Sequence, residues 1–140
     1  MIIRNLEKND YANYLDLIQK FRPITVSISK NKFEEIYDKI FNNNLIFVAV
    51  INNTLVGSIT CLLEQKFIHN LATYLHIEDF IVCPKYRGNG IGKALLKYVK
   101  DYSKNNDVFK IILDCHKDLL DFYKKNGFKE YDEIKMEFKL

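Results

Sequence analysis

Three glycines within five positions, in Arg87-Gly88-Asn89-Gly90-Ile91-Gly92-Lys93, follow an apolar strand-like run that stops at Pro84 and precede residues at helical spacing. In such a junction the backbone N–H groups at the helix start point outward and the helix dipole favours an anion. Glycines let the backbone approach a pyrophosphate closely, while Arg87 and Lys93 add positive charge at the rim. The alternative is an ordinary tight turn, and a bare glycine pattern is weak evidence by itself. The strand-loop-helix context favours phosphate. Spacing excludes a P-loop, which needs Gly-x-x-x-x-Gly-Lys-Ser/Thr, and a dinucleotide fingerprint, which needs Gly-x-Gly-x-x-Gly near the beginning of a βαβ unit. Here the glycines alternate and lie in the second half of the chain.

The flanking segments give the rest of a mixed α/β layer structure. Tyr11, Tyr14, Leu15, Ile18 and Phe21 recur at helical spacing, as do Phe33, Ile36, Tyr37, Ile40 and Phe41. Asn31 and Glu34 resemble a capping box, which starts the second helix after a polar loop from Arg22 to Ser29. Leu45 to Ile51 and Leu55 to Leu63 read as a hairpin turned by Asn52-Asn53. Leu75 to Val82 is a third strand, the residues from Ile91 to Tyr102 a helix, Lys110 to Cys115 a strand and Leu119 to Asn126 a short helix. The alternation Ile134, Met136, Phe138, Leu140 predicts a final strand. With 140 residues, 48% of them hydrophobic, this is one domain that needs no disulfide or metal to build a core. Net charge is +3 with both signs interspersed, so nucleic acid is not indicated. No apolar run approaches the roughly 18 residues of a membrane span. Cys61, Cys83 and Cys115 are odd in number and widely spaced, which suggests neither a disulfide framework nor a zinc site and fits a reducing, cytoplasmic location.

The run RGNGIGKALL resembles the pyrophosphate signature of the GNAT acetyltransferases, Arg/Gln-x-x-Gly-x-Gly/Ala. With HIEDF before it and KIILDCHKDLLDFYKKNGF after it, most of the chain resembles the glucosamine-6-phosphate N-acetyltransferase family of that superfamily. That resemblance implies a GNAT fold and acetyl transfer from acetyl-CoA to the amine of glucosamine 6-phosphate, in a homodimer with shared active sites and without a metal. It further implies that Phe80, Ile81 and Val82 pair with pantetheine and that Arg87, Gly88, Asn89, Gly90, Ile91, Gly92 and Lys93 take the pyrophosphate. Tyr123, Lys124 and Lys125 fall at the thiol end. Lys66, His69, Glu78, Asp79, Lys110 and Asp114 surround the sugar phosphate, and Lys139 stands where the family has an arginine reaching from the other subunit. Lysine keeps that charge but loses the planar fork that grips phosphate at two points. The amino-terminal third matches poorly, and the family's phosphate-contacting threonine has no counterpart near Arg22-Pro23.

Amine acetylation requires an unprotonated amine, a polarised carbonyl and a proton for the departing thiolate. Tyr123 is the candidate proton donor, against the alternative of a packed aromatic. Asp114 either orients the amine or caps the following helix. Strand alternation puts Asp114 opposite Cys115, which argues against a nucleophilic cysteine, and puts Glu78 opposite Asp79, which argues against a paired acid and base. His76 and Glu78 share a face but lack a third ligand for a metal. The rival functions are an acetyltransferase acting on a peptide, polyamine or antibiotic amine, and a non-catalytic acyl-CoA-binding module. The basic set Lys66, His69, Lys110 and Lys139 favours a phosphorylated acceptor.

Overall fold

A computed structural model describes residues Met1 to Leu140. Five strands lie in the order β1-β2-β3-β4-β5 in one sheet, so sequence order is sheet order. They are β1 (Ile2–Asn5), β2 (Asn44–Ile51), β3 (Thr54–Gln65), β4 (Thr73–Val82) and β5 (Val108–Leu113). The first four pair antiparallel; β5 runs parallel to β4. Helices α1 (Tyr11–Gln19) and α2 (Lys30–Ile40) lie between β1 and β2, α3 (Ile68–Leu71) is a single turn between β3 and β4, α4 (Ile91–Asn105) is the crossover to β5, and α5 (Leu120–Lys125) follows β5.

The hairpin forms where expected, because Asn52 and Asn53 both take positive φ, 48° and 58°, and asparagine tolerates that region. β2 reads as a continuous apolar run because both of its faces are covered. Phe47 and Ala49 join a core with α4 residues Ile91, Leu95, Leu96 and Val99, whereas Ile46 and Val48 join a second core with Leu17 of α1 and Phe33 of α2. Large-to-small changes at such fully buried positions cost about 2–5 kcal/mol, so these clusters fix α4, and the loop before it, against the sheet.

Three expectations are corrected. The cap of α2 is Ser29, whose hydroxyl accepts from the Lys32 backbone N–H at 3.2 Å; Asn31 lies inside the helix, because the cap must keep the extended backbone that Ser29 has (φ −69°, ψ 161°). The final strand is absent: residues 128–140 form no ladder, and Ile134, Met136, Phe138 and Leu140 are all exposed. Alternation reports a demand for an apolar surface, and this chain alone supplies none. The face assignment of Glu78 and Asp79 also changes. Ile59 pairs with Phe80 while Cys61 pairs with Ile77, so Glu78 and Asp79 together oppose the single residue Thr60 in a β-bulge. Leu75 and Ile77 face the α4 core before the bulge and Phe80 and Val82 after it, whereas Ile81 faces the α1–α2 core. Parity therefore turns both carboxylates toward α1.

No helix is long and apolar enough to cross a membrane.

Candidate active site

At the start of α4, Gly88 and Gly90 adopt left-handed backbone (φ +81° and +77°), and a Cβ at either would meet nothing within 4 Å. Gly90 caps the helix, and the first turn contains no acidic residue. The free N–H groups of that turn, with Lys93 beside them, leave an anion-shaped vacancy in the charge pattern, since a cation at a helix N-terminus is otherwise unfavourable. Arg87 is held at the loop by its Nε donating to the Val82 carbonyl at 3.2 Å, and Asn89 donates to the Tyr86 carbonyl at 3.3 Å. A pyrophosphate fits this cradle. Gly92 is small for another reason: a Cβ there would come within 3.2 Å of Phe122 Cζ. The third glycine thus lets α5 close on α4.

The bulge opens the sheet beside this loop. β4 pairs with β5 only as far as Ile77↔Leu113, while on its other side it stays paired with β3 out to Gly57↔Val82. Phe80, Ile81 and Val82 consequently present one backbone edge with no strand against it, in line with the glycine loop. Tyr123 closes the opening, with its ring centroid 6.5 Å from that of Phe80 and 5.8 Å from that of Phe128. Only 8% of Tyr123 is exposed. Burial pushes its hydroxyl up to about 12, so it remains protonated throughout the neutral range. Lys124 is engaged by Glu130 at 2.8 Å, and Lys125 forms no ion pair. Cys115 is exposed, and burial followed by the Asp114 carboxylate raises its thiol, which disfavours the thiolate a nucleophile needs. His116, not Asp114, caps the turn that leads into α5.

Lys66, His69 and Lys110 come together. Lys66 Nζ and Lys110 Nζ lie 5.1 and 4.6 Å from the Tyr74 ring centroid, and the His69 ring stacks on Tyr74 at 6.0 Å. His69 reaches this position from the left-handed turn α3, where its φ is 55°. Asp114 lies past the end of β5 and pairs with Lys135 at 3.1 Å. That hydrogen bond raises the Lys135 ammonium's pKa, with the field of Glu78 adding to it, so Asp114 and Glu78 together accommodate one amine. Lys139 sits on the exposed tail and makes no ion pair with the others.

Several participants were not evident from the sequence. Glu64 bridges Lys66 at 2.5 Å and His76 at 2.7 Å, and the Lys66 hydrogen bond, then that of His76, holds its carboxyl below the usual range. Tyr14 of α1 lies near Asp79: burial, then that carboxylate, raises its hydroxyl. Tyr74, Phe109 and Lys135 complete the set. Only the alternation of β4 gave any signal for Tyr74, and it marked a core position.

Residues 12–128 match the model of the acetyltransferase (GNAT) family. The chain is 30% identical over 132 residues to the glucosamine 6-phosphate N-acetyltransferase of Candida albicans, covering 91% of this chain and 88% of the relative. It is 29% identical over 132 residues to that of Trypanosoma brucei brucei, covering 93% and 90%. Among solved structures it resembles a Trypanosoma brucei acetyltransferase (TM-score 0.91, 30% identity, 99% of both chains). It also resembles the Arabidopsis thaliana glucosamine-6-phosphate N-acetyltransferase (TM-score 0.89, 25% identity, 98% and 97%).

Proposed function

This chain belongs to the GNAT acetyltransferases and, within them, to the glucosamine 6-phosphate N-acetyltransferase family, and from that premise we propose how its residues carry the reaction. The chain is an acetyl-CoA-dependent N-acetyltransferase that acetylates the amine of D-glucosamine 6-phosphate. Residues 1–140 act as one catalytic domain. Acetyl-CoA supplies the thioester-bound acetyl group. Arg87 to Lys93 hold its pyrophosphate, the open edge of Phe80 to Val82 pairs with its pantetheine, and Lys124 and Lys125 lie toward the thiol end.

Glu78 and Asp114 orient the acceptor amine, and the observation that supports this most directly is the Lys135 ammonium held by Asp114 in the field of Glu78. Asp79, turned to the same face by the bulge, contacts the sugar. The amine lone pair attacks the acetyl carbon, the C–S bond breaks, and the amine surrenders one proton. Tyr123 donates a hydrogen bond to the departing sulfur. Because burial keeps Tyr123 a weak acid, complete proton transfer depends on the same burial making the thiolate more basic. Lys66, His69 and Lys110 attract the 6-phosphate.

The exposed alternation of Ile134, Met136, Phe138 and Leu140 supports a homodimer in which each tail packs on a second copy and brings Lys139 to its site. Three cysteines without a disulfide framework fit a cytoplasmic setting.

The deciding experiment compares kcat/KM for glucosamine 6-phosphate and glucosamine. Charge-assisted hydrogen bonds contribute about 1.5–3 kcal/mol each, so losing two lowers kcat/KM by more than about a hundredfold. Equal values for the two sugars would overturn the phosphorylated acceptor.

A further inference from the structure

Tyr74 is almost fully buried, at 7% exposure, yet two ammonium groups stand against its ring, Lys110 at 4.6 Å and Lys66 at 5.1 Å from the centroid. The three rings of His69, Tyr74 and Phe109 are nearly parallel, with interplanar angles of 22°, 11° and 15° and every centroid separation close to 6 Å. Backbone irregularities build the assembly. Thr73 pairs with Val108 but Tyr74 with Lys110, so Phe109 is an extra residue on β5. In α3 the positive φ angles at His69, Asn70 and Leu71 (55°, 58° and 63°) curl the chain back over β4. Strain of that kind persists only where the surroundings enforce it.

Two lysines drawn to one ring repel each other. The ring's negative face offsets part of that cost, and a desolvated aromatic does so better than an exposed one. Glu64 neutralises one cation through Lys66. The cluster still keeps an excess of positive charge, which a dianion would satisfy.

We propose that Tyr74 is a positioning residue for phosphate recognition, its buried ring, with Phe109 behind it, gathering the ammonium groups of Lys66 and Lys110 and the imidazole of His69 into one site for a phosphate monoester. This rests on the reading of the acceptor as a phosphorylated amino sugar. The Tyr74 hydroxyl forms no hydrogen bond within the chain, so the ring rather than the oxygen carries the role.

The test is a substitution series at position 74, read with three ligands. Tyr74→Leu raises KM for glucosamine 6-phosphate about tenfold, the scale of two cation–π contacts. It leaves kcat and acetyl-CoA affinity within about twofold and the KM for glucosamine unchanged. Tyr74→Phe behaves as the parent protein. Phenylalanines bearing successive ring fluorines, which weaken the ring's negative face at nearly constant size, raise KM stepwise and keep the test informative should Tyr74→Leu not fold. A flat fluorine series, or an equal loss for the phosphorylated and unphosphorylated sugars, would show a purely structural ring and overturn the proposal. Calorimetry with glucose 6-phosphate, which has the phosphate and no amine, separates the two levels. If the parent protein binds it with ring-dependent affinity but acetylates no amino sugar, the acceptor assignment fails and the ring's role stands. If the parent acetylates glucosamine 6-phosphate and the fluorine series is flat on both ligands, the ring's role fails alone.

Discussion

The loop ahead of α4 and the cluster around Tyr74 both concern phosphate, and they are built in opposite ways. The loop is a backbone device in which two left-handed glycines and a helix start are set by seven consecutive residues. The cluster is a side-chain device whose members come from β3, α3, β4 and β5, with its charges gathered by packing and a buried ring. A backbone site needs little from the rest of the molecule once its helix is anchored. A side-chain site inherits every shift of the strands that carry it, and here it also lacks whatever covers the tail.

The sharpest way to break the contrast is Gly90→Asp. A Cβ at Gly90 meets nothing within 4 Å, so the variant folds, with about 1–2 kcal/mol of backbone strain from a side chain in left-handed conformation. Its carboxylate enters the anion cradle and should weaken acetyl-CoA binding by about a thousandfold or more, as expected when several charge-assisted bonds are lost. Calorimetry on the folded variant decides, and unchanged affinity would remove the loop from the site.

Tyr123 stands where the two regions meet. Tyr123→Phe should lower kcat by about a hundredfold while leaving acetyl-CoA affinity intact. Its hydroxyl is pushed to about 12, and a raised pKa favours the neutral donor. Its deprotonation therefore removes activity only as pH rises toward that value, and any limb of the rate profile below pH ~10 belongs to another group. Parent-level single-turnover rates in the variant would leave Tyr123 as a packing residue.

The smallest of these effects concerns the tail. Lys139→Ala should cost about tenfold in kcat/KM for glucosamine 6-phosphate and nothing for glucosamine, in line with one exposed charge-assisted contact. Co-folding it with Asp114→Ala should restore phosphate-dependent turnover in heterodimers if the tail crosses between copies. Sedimentation of a fully active monomer would show that each site is completed within one chain.

The same contrast governs how much of the molecule was legible in the sequence. Local patterns placed the hairpin at Asn52-Asn53, the helix after Gly90 and the short helix around Tyr123, because each depends on residues adjacent in the chain. The Ser29 cap escaped since Asn31 and Glu34 mimic the same chemistry two residues later. The bulge at Glu78 and Asp79 has no compositional mark; it appears only when β3 supplies the register. Lys66, His69 and Lys110 were found by family likeness, but their common support, Tyr74, reads in sequence as an ordinary core residue.

The bulge also has a consequence for what lengths of chain this strand tolerates. Side chains alternate along a strand, so one residue more or less is a frameshift in space. Because Glu78 and Asp79 share one position opposite Thr60, deleting either would restore unbroken alternation and turn Phe80 and Val82 toward α1 and Ile81 toward α4. Substitutions at these two carboxylates alter only chemistry, whereas a single-codon deletion there would exchange the two faces of everything that follows in β4, the cofactor edge included.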